Sequence, residues 1–150
     1  MGAVAILGPT ASGKSRLGLH LARERDGEII SVDSRQAYIG LDIGTSKPTA
    51  IERKAVPHHL IDILEVTQRN NAERYARLAA EAVRNVISRG RLPILVGGSG
   101  LYFRAIFEGL FAVELPERER ERFERQVKGV STGELHRRLR DVDGESSSRI

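Results

Sequence analysis

Residues Gly8-Pro9-Thr10-Ala11-Ser12-Gly13-Lys14-Ser15 have the spacing of a phosphate-binding P-loop, two glycines five apart with Lys and Ser directly after the second. Such a loop must leave a buried strand and open a helix, so it constrains the residues on both sides. Upstream, Ala3 to Leu7 is an apolar run of strand length; downstream, Ser15 to Arg25 carries apolar residues at helical spacing. The glycines let the backbone curl until several N–H groups face phosphate oxygens. The helix start adds its positive dipole end, Lys14 adds a charge, and the Ser15 hydroxyl can ligate Mg²⁺. Gly8 to Ser15 are therefore expected to grip a di- or triphosphate.

Further along, Glu28 to Val32 is a β-branched run ending at Asp33, followed by a polar segment rich in Gly, Lys and Pro to about Pro57. Leu60 to Leu64 predicts another strand. Asn70 with Glu73 in capping-box spacing, and Gly90 as a stop, frame a helix over 72–88. Leu92 to Val96 predicts a strand, and Gly97-Gly98-Ser99-Gly100 opens a helix running to about Glu108. Strands alternating with helices imply an α/β fold, a mainly parallel sheet flanked by helices. Ligands of such sheets bind beyond the carboxyl ends of the strands. The P-loop, the segment from Asp33 to Gln36 and the segment from Gly97 to Gly100 all fall at such ends, so one rim should carry the site.

From about Leu115 only helices are expected, with Pro116 in the first turn of one and Ser131 with Glu134 capping another through Arg140. The run from Glu117 to Arg125 alternates in sign, which suits a solvated helix face. The reading divides the chain into a core over 1–112 and the beginning of a helical domain over 113–150, which ends as if interrupted.

Without cysteine there is no disulfide framework, thiolate metal site or thiol nucleophile. No apolar run approaches a membrane span and no cleavable signal pattern precedes the first strand, so a cytoplasmic protein without membrane contact is expected. A formal charge of +4 suits a partner rich in phosphate.

Asp33 sits where its carboxylate can meet a substrate proton or a water on Mg²⁺, or can simply cap a turn. Ser34, Arg35 and Gln36 offer donors and acceptors for a base edge, Gln being able to pair bidentately with adenine. Ser99, at a helix N-terminus, can hold part of a pyrophosphate. His58 and His59 read as structural, hydrogen-bonding residues rather than metal ligands. Tyr38, Tyr102 and Phe103 can stack on a base, although Tyr102 and Phe103 lie in an apolar helix and suit the core better.

Taken together, the P-loop octapeptide, Ser31-Val32-Asp33-Ser34-Arg35-Gln36-Ala37-Tyr38, the stretch from Leu41 to Pro48, the stretch from Pro57 to Asp62 and the stretch from Val96 to Tyr102 closely resemble the tRNA dimethylallyltransferases of the IPP transferase family. The match in order and spacing runs from residue 3 to about 110. It implies a P-loop NTPase-like fold turned to alkyl transfer, in which N6 of adenosine 37 in tRNA attacks dimethylallyl diphosphate and pyrophosphate leaves. By matching positions, Asp33 would take the N6 proton. Lys14 and the P-loop amides would neutralise the leaving group, Ser15 would hold Mg²⁺, and Ser99 would bind the diphosphate or bridge toward the base. Residues 33–36 would contact the flipped adenine. The implied partners are the tRNA anticodon stem-loop and dimethylallyl diphosphate, with the enzyme acting as a monomer.

Position 99 is often Thr in the family, and Ser keeps its hydroxyl. Family members are much longer, and residues completing the site lie past Ile150, so residues 1–150 alone are expected to be inactive in prenyl transfer. Two other readings stay open on the residues themselves: a small-molecule P-loop kinase or adenylate isopentenyltransferase, and an inactive fragment that binds nucleotide or RNA.

Overall fold

The computed structural model describes residues 2–109 and 116–150. They fall into two compact units, Met1–Phe111 and Ala112–Ile150. The expected boundary at 112/113 lies outside the described residues.

The first unit runs β1 (Val4–Leu7), α1 (Lys14–Glu24), β2 (Gly27–Val32), α2 (Ala50–Ala55), β3 (His58–His59), α3 (Ala72–Ser88), β4 (Leu92–Gly97) and α4 (Gly100–Phe107). All four strands pair in parallel, in the order β1-β4-β2-β3. Each pair of neighbours therefore needs a crossover, and helices cover both faces. Every residue of β2 is buried, which its unbroken Ile29-Ile30-Ser31-Val32 run requires of a strand with helices above and below. On one face Ile29, Ile94 and Val96 pack with Ala22 of α1 and with Val56. On the other, Ile30, Val32 and Leu95 meet Tyr75 and Ala79 of α3 and Tyr102, Phe103 and Ala105 of α4. The expected mainly parallel α/β sheet flanked by helices is the fold observed.

Three local expectations are corrected. Leu60 to Leu64 is not a strand: pairing with β2 stops at His59, and Leu60 and Asp62 have left-handed backbones (φ 62° and 55°) that no strand tolerates. Leu60 and Leu64 are nevertheless buried, so the apolar spacing belongs to a folded turn. Asp62 fixes that turn, its carboxylate receiving Lys47 Nζ at 2.6 Å and Arg53 Nη1 at 2.7 Å. The cap of α3 is Asn71 rather than Asn70, with Asn71 Oδ1 accepting the Arg74 N–H at 2.7 Å. The polar segment before Pro57 contains a helix, α2, started by a reciprocal Thr49 and Glu52 capping box.

In the second unit, α5 (Glu117–Val127), α6 (Thr132–Val142) and α7 (Gly144–Ser147) follow one another. The sign-alternating run forms exposed α5, with Arg120–Glu124 and Arg125–Glu121 pairs each at 3.7 Å. Ser131 caps α6 by accepting the Glu134 N–H. Among the described residues no helix is long and apolar enough to cross a membrane.

Candidate active site

The parallel register brings Leu7 and Val32 to either side of Gly97, at the carboxyl ends of β1, β2 and β4. The three chemically loaded loops thus leave the sheet at one rim. Glycine is obligatory at 97, because a Cβ there would sit 2.0 Å from the Val32 carbonyl oxygen. Past it, a Cβ on Gly98 would lie 3.3 Å from the Gly8 oxygen and 3.7 Å from Lys14 Cε, so this loop rests against the P-loop.

Within the P-loop, Ala11 (φ 64°) and Gly13 (φ 86°) are left-handed, and the Ser12 N–H closes a turn on the Pro9 carbonyl at 3.3 Å. Left-handed residues among right-handed ones turn successive N–H groups toward one concave side, the arrangement that receives anions. Gly13 starts α1 without a side-chain cap, and no acidic residue stands in the first turn. The orphan N–H donors and the positive end of the helix dipole therefore face the loop uncontested. Lys14 Nζ folds over the loop and donates to the Pro9 carbonyl at 2.8 Å.

A cleft of about 990 Å³ opens beside this loop; Thr10, Ala11, Gly13, Lys14, Ser15, Asp33 and Gln36 line it together. Gly8, Pro9, Ser12, Ser34, Arg35 and Ser99 do not reach its wall. Ser99 is the N-cap of α4, and its side chain makes no capping bond.

Asp33 does cap a turn, its Oδ1 accepting the Arg35 N–H at 2.8 Å and the Gln36 N–H at 3.2 Å. That does not remove it from chemistry, since Oδ2 has no partner among the described residues. The turn holds the carboxylate at the cleft wall through one oxygen and leaves the other without a protein partner. Gln36 is more restricted: Oε1 accepts from Ser31 Oγ at 2.9 Å, while Nε2 donates to the Thr45 and Ser46 carbonyls at 3.1 and 3.2 Å. Both N–H donors are thus engaged. Oε1 keeps a lone pair for an exocyclic amine, whereas bidentate pairing with adenine would require the loop bonds to open.

Lys47, a cleft residue that sequence reasoning left unassigned, anchors that loop. Its side chain is only 4% exposed, and Nζ donates to the Tyr38 carbonyl at 2.6 Å, Asp42 at 2.8 Å and Asp62 at 2.6 Å. Burial alone would lower its pKa, but hydrogen bonds to Asp42 and Asp62 outweigh that and raise it. Burial likewise pushes the Asp62 carboxyl up, and Lys47 and Arg53 more than offset it, holding the group below the usual carboxylate range. A charged pair is therefore maintained at the cleft wall. The available signal was Lys47 within the Leu41 to Pro48 stretch, beside acidic Asp42.

The remaining candidates take structural roles. Tyr102 and Phe103 are buried, Tyr102 packing on Tyr75 with centroids 4.5 Å apart, and the Tyr38 hydroxyl donates to the Gln68 carbonyl at 3.2 Å. His58 Nδ1 donates to the Val56 carbonyl at 2.7 Å, and burial pushes its pKa down, so a neutral ring borders the cleft. His59 Nε2 lies 2.5 Å from Glu28. No group of three His, Cys, Asp or Glu that could hold a metal occurs among the described residues.

Comparison with known proteins places this geometry in context. The profile of the family described as IPP transferase matches residues 36–150. A tRNA dimethylallyltransferase of Anaeromyxobacter sp. (strain Fw109-5) is 49% identical over 148 residues, covering 97% of this chain and 49% of the relative. One from Halorhodospira halophila is 49% identical over 146 residues, covering 97% and 47%. The crystal structure of the full-length tRNA isopentenylpyrophosphate transferase from Bacillus halodurans superimposes with a TM-score of 0.70 at 40% identity, covering 99% of this chain and 50% of that one. A eukaryotic dimethylallyltransferase acting on tRNA superimposes with a TM-score of 0.84 at 25% identity, covering 99% and 37%. The chain spans about half the length of the curated relatives it matches.

Proposed function

Because this chain belongs to the IPP transferase family, we propose that it forms the diphosphate- and adenine-binding core of a tRNA dimethylallyltransferase. The enzyme transfers a dimethylallyl group from dimethylallyl diphosphate to N6 of the adenosine beside the anticodon. The observation that carries this reading is the shared rim: an anion-binding loop and a carboxylate with one free oxygen open into a single cleft. A P-loop alone suits any phosphate chemistry, whereas an acceptor base needs a proton taken from it at the same place.

An allylic carbon needs a stabilised leaving group more than a strong nucleophile. The N6 lone pair bonds to C1 while the C1–O bond breaks and its electron pair passes to pyrophosphate. The N6 proton goes to Asp33 Oδ2, and Gln36 Oε1 accepts the other N6 hydrogen. Lys14 and the P-loop N–H groups meet the charge that builds on the departing oxygens. Mg²⁺ binds through one or two protein oxygens and completes its shell with phosphate and water. The Ser15 hydroxyl, exposed in the first turn of α1, is a donor of that kind, and the ion would add positive charge beside the pyrophosphate.

Lys14→Ala tests the reading. Loss of a charged hydrogen-bond donor costs about 1.5–3 kcal/mol, so affinity for dimethylallyl diphosphate should fall by roughly ten- to a hundredfold in calorimetric titration. The melting temperature should not change, because the side chain's hydrogen bond is to its own loop. Undiminished affinity would remove the P-loop from the site. Preference for ATP over the prenyl diphosphate, with phosphate release, would favour a kinase.

A further inference from the structure

Helix α1 brings more positive charge into the cleft than the P-loop needs. Arg16, His20 and Arg23 fall at i, i+4 and i+7, on one face of the helix, and all are exposed. All three line the cleft that holds Lys14 and Asp33. Arg53, Arg89 and Arg91 of the same unit each pair with a carboxylate. Arg16 and Arg23 form no ion pair among the described residues. No acid that shares the cleft wall forms an ion pair with Arg16 or Arg23 among the described residues; Glu52, held below its ordinary value chiefly by hydrogen bonds from Thr49, feels Arg23 only as a lesser electrostatic influence.

Distance along α1 separates Arg23 from the diphosphate grip, while Arg16 stands within a turn of Lys14. Arg23 lies nine residues beyond Lys14, about 13.5 Å along the axis at 1.5 Å per residue. That is further than two linked phosphoryl groups extend. Arg16 and Arg23 are about 10.5 Å apart on the same basis, so a single diphosphate cannot bridge both. Two unpaired arginines with that spacing on the cleft wall fit a polyanionic strand.

We propose that the Arg16, His20 and Arg23 face of α1 is a phosphate track for the RNA strand carrying the target adenosine, distinct from the diphosphate grip at Lys14. The proposal rests on the RNA-acting reading above, and its test separates the two. The affinity of a fluorescently labelled anticodon stem-loop RNA is measured by anisotropy across a salt series. The proteins are the wild-type chain, the Arg16→Gln/Arg23→Gln variant, and an Arg77→Gln/Arg84→Gln variant that loses the same charge from exposed positions of α3. Inorganic pyrophosphate is titrated in parallel.

Two lost phosphate contacts at about 0.7 each should reduce the slope of log affinity against log salt by roughly 1.4 in the α1 variant. The α3 variant should keep the wild-type slope, and pyrophosphate affinity should be the same in all three proteins. An unchanged slope in the α1 variant, or an equal drop in the α3 variant, overturns the track. A parallel loss of pyrophosphate affinity assigns the arginines to the diphosphate grip and also overturns it. Wild-type protein without salt-dependent RNA binding overturns the RNA-acting reading and the track together.

Discussion

Replacing Asp33 by Asn should lower the single-turnover rate of prenyl transfer by about 10²–10⁴-fold, the usual cost of losing a general base, while leaving the fold intact. The turn explains why the two effects separate. Asn has an Oδ1 able to accept the same two N–H bonds from Arg35 and Gln36, so the loop that presents position 33 keeps its shape. What changes is the other atom: a carboxylate oxygen without a protein partner becomes an amide nitrogen that can only donate. It then opposes the N6 hydrogen with hydrogens of its own and cannot take the proton. The measurement calls for a protein in which residues 1–150 replace the matching half of a full-length relative, assayed by rapid quench with enzyme in excess. Diphosphate affinity by calorimetry and the melting curve should match the parent. A near-parental rate combined with collapsed tRNA affinity would make Asp33 a recognition residue and remove the proton transfer from the proposed mechanism.

How far the residues alone foretold this arrangement depends on the range of the interactions involved. The P-loop was legible because its conformation is set within eight residues, by two glycines and the start of a helix, and α3 was legible because its apolar spacing holds over 17 residues. Leu60 to Leu64 misled for the opposite reason. Its burial imitates a strand, while left-handed Asp62 is held by Lys47 and Arg53, 15 and 9 residues away, which no local pattern reports. Helix α2 was within reach of sequence reasoning, since Thr49 and Glu52 stand in capping-box spacing, but six residues are too few to show a periodicity. Of the two alternatives read for Asp33, the structure shows the turn cap, and the second carboxylate oxygen has no partner among the described residues. The commitment of Gln36 to the Thr45 and Ser46 carbonyls could not be read in advance, because it depends on a loop whose path is set by the buried ammonium of Lys47. The strand order was equally hidden: placing β4 between β1 and β2, which creates the shared rim, is a tertiary choice.

The opposite end of the sheet carries the largest expected loss of stability, through Glu28→Ala. Glu28 is the second residue of β2, beside Pro93 of β4 at the end away from the cleft, and its side chain is 3% exposed. It receives His59 Nε2 at 2.5 Å, Arg89 Nη2 at 2.7 Å and Arg91 Nη1 at 3.2 Å. One buried group thus ties β2 to β3 and to the turn joining α3 to β4. Removing it leaves a void and deprives three donors of their acceptor. Breaking a buried ion pair costs about 3–5 kcal/mol, and the lower figure applies because both arginines are more than a third exposed and can turn to water. For a unit of this size about 3 kcal/mol corresponds to a fall in melting temperature of roughly 12 °C. Diphosphate affinity measured well below the melting range should stay at the wild-type value, since the rim is built at the other end of the strands. The loss should also depend on pH. Burial by itself would raise the Glu28 carboxyl, but hydrogen bonds from His59, Arg89 and Arg91 outweigh burial and hold it below its ordinary value of 4.5. A carboxyl whose pKa is lowered by folding stabilises fully above the unfolded value and loses that contribution as pH falls through the folded one. The gap between wild-type and variant melting temperatures should therefore be widest near neutrality and narrow below about pH 4. A gap that stays constant through that range would mean that Glu28 acts through packing alone, its charge contributing nothing to the junction of β2, β3 and the turn before β4.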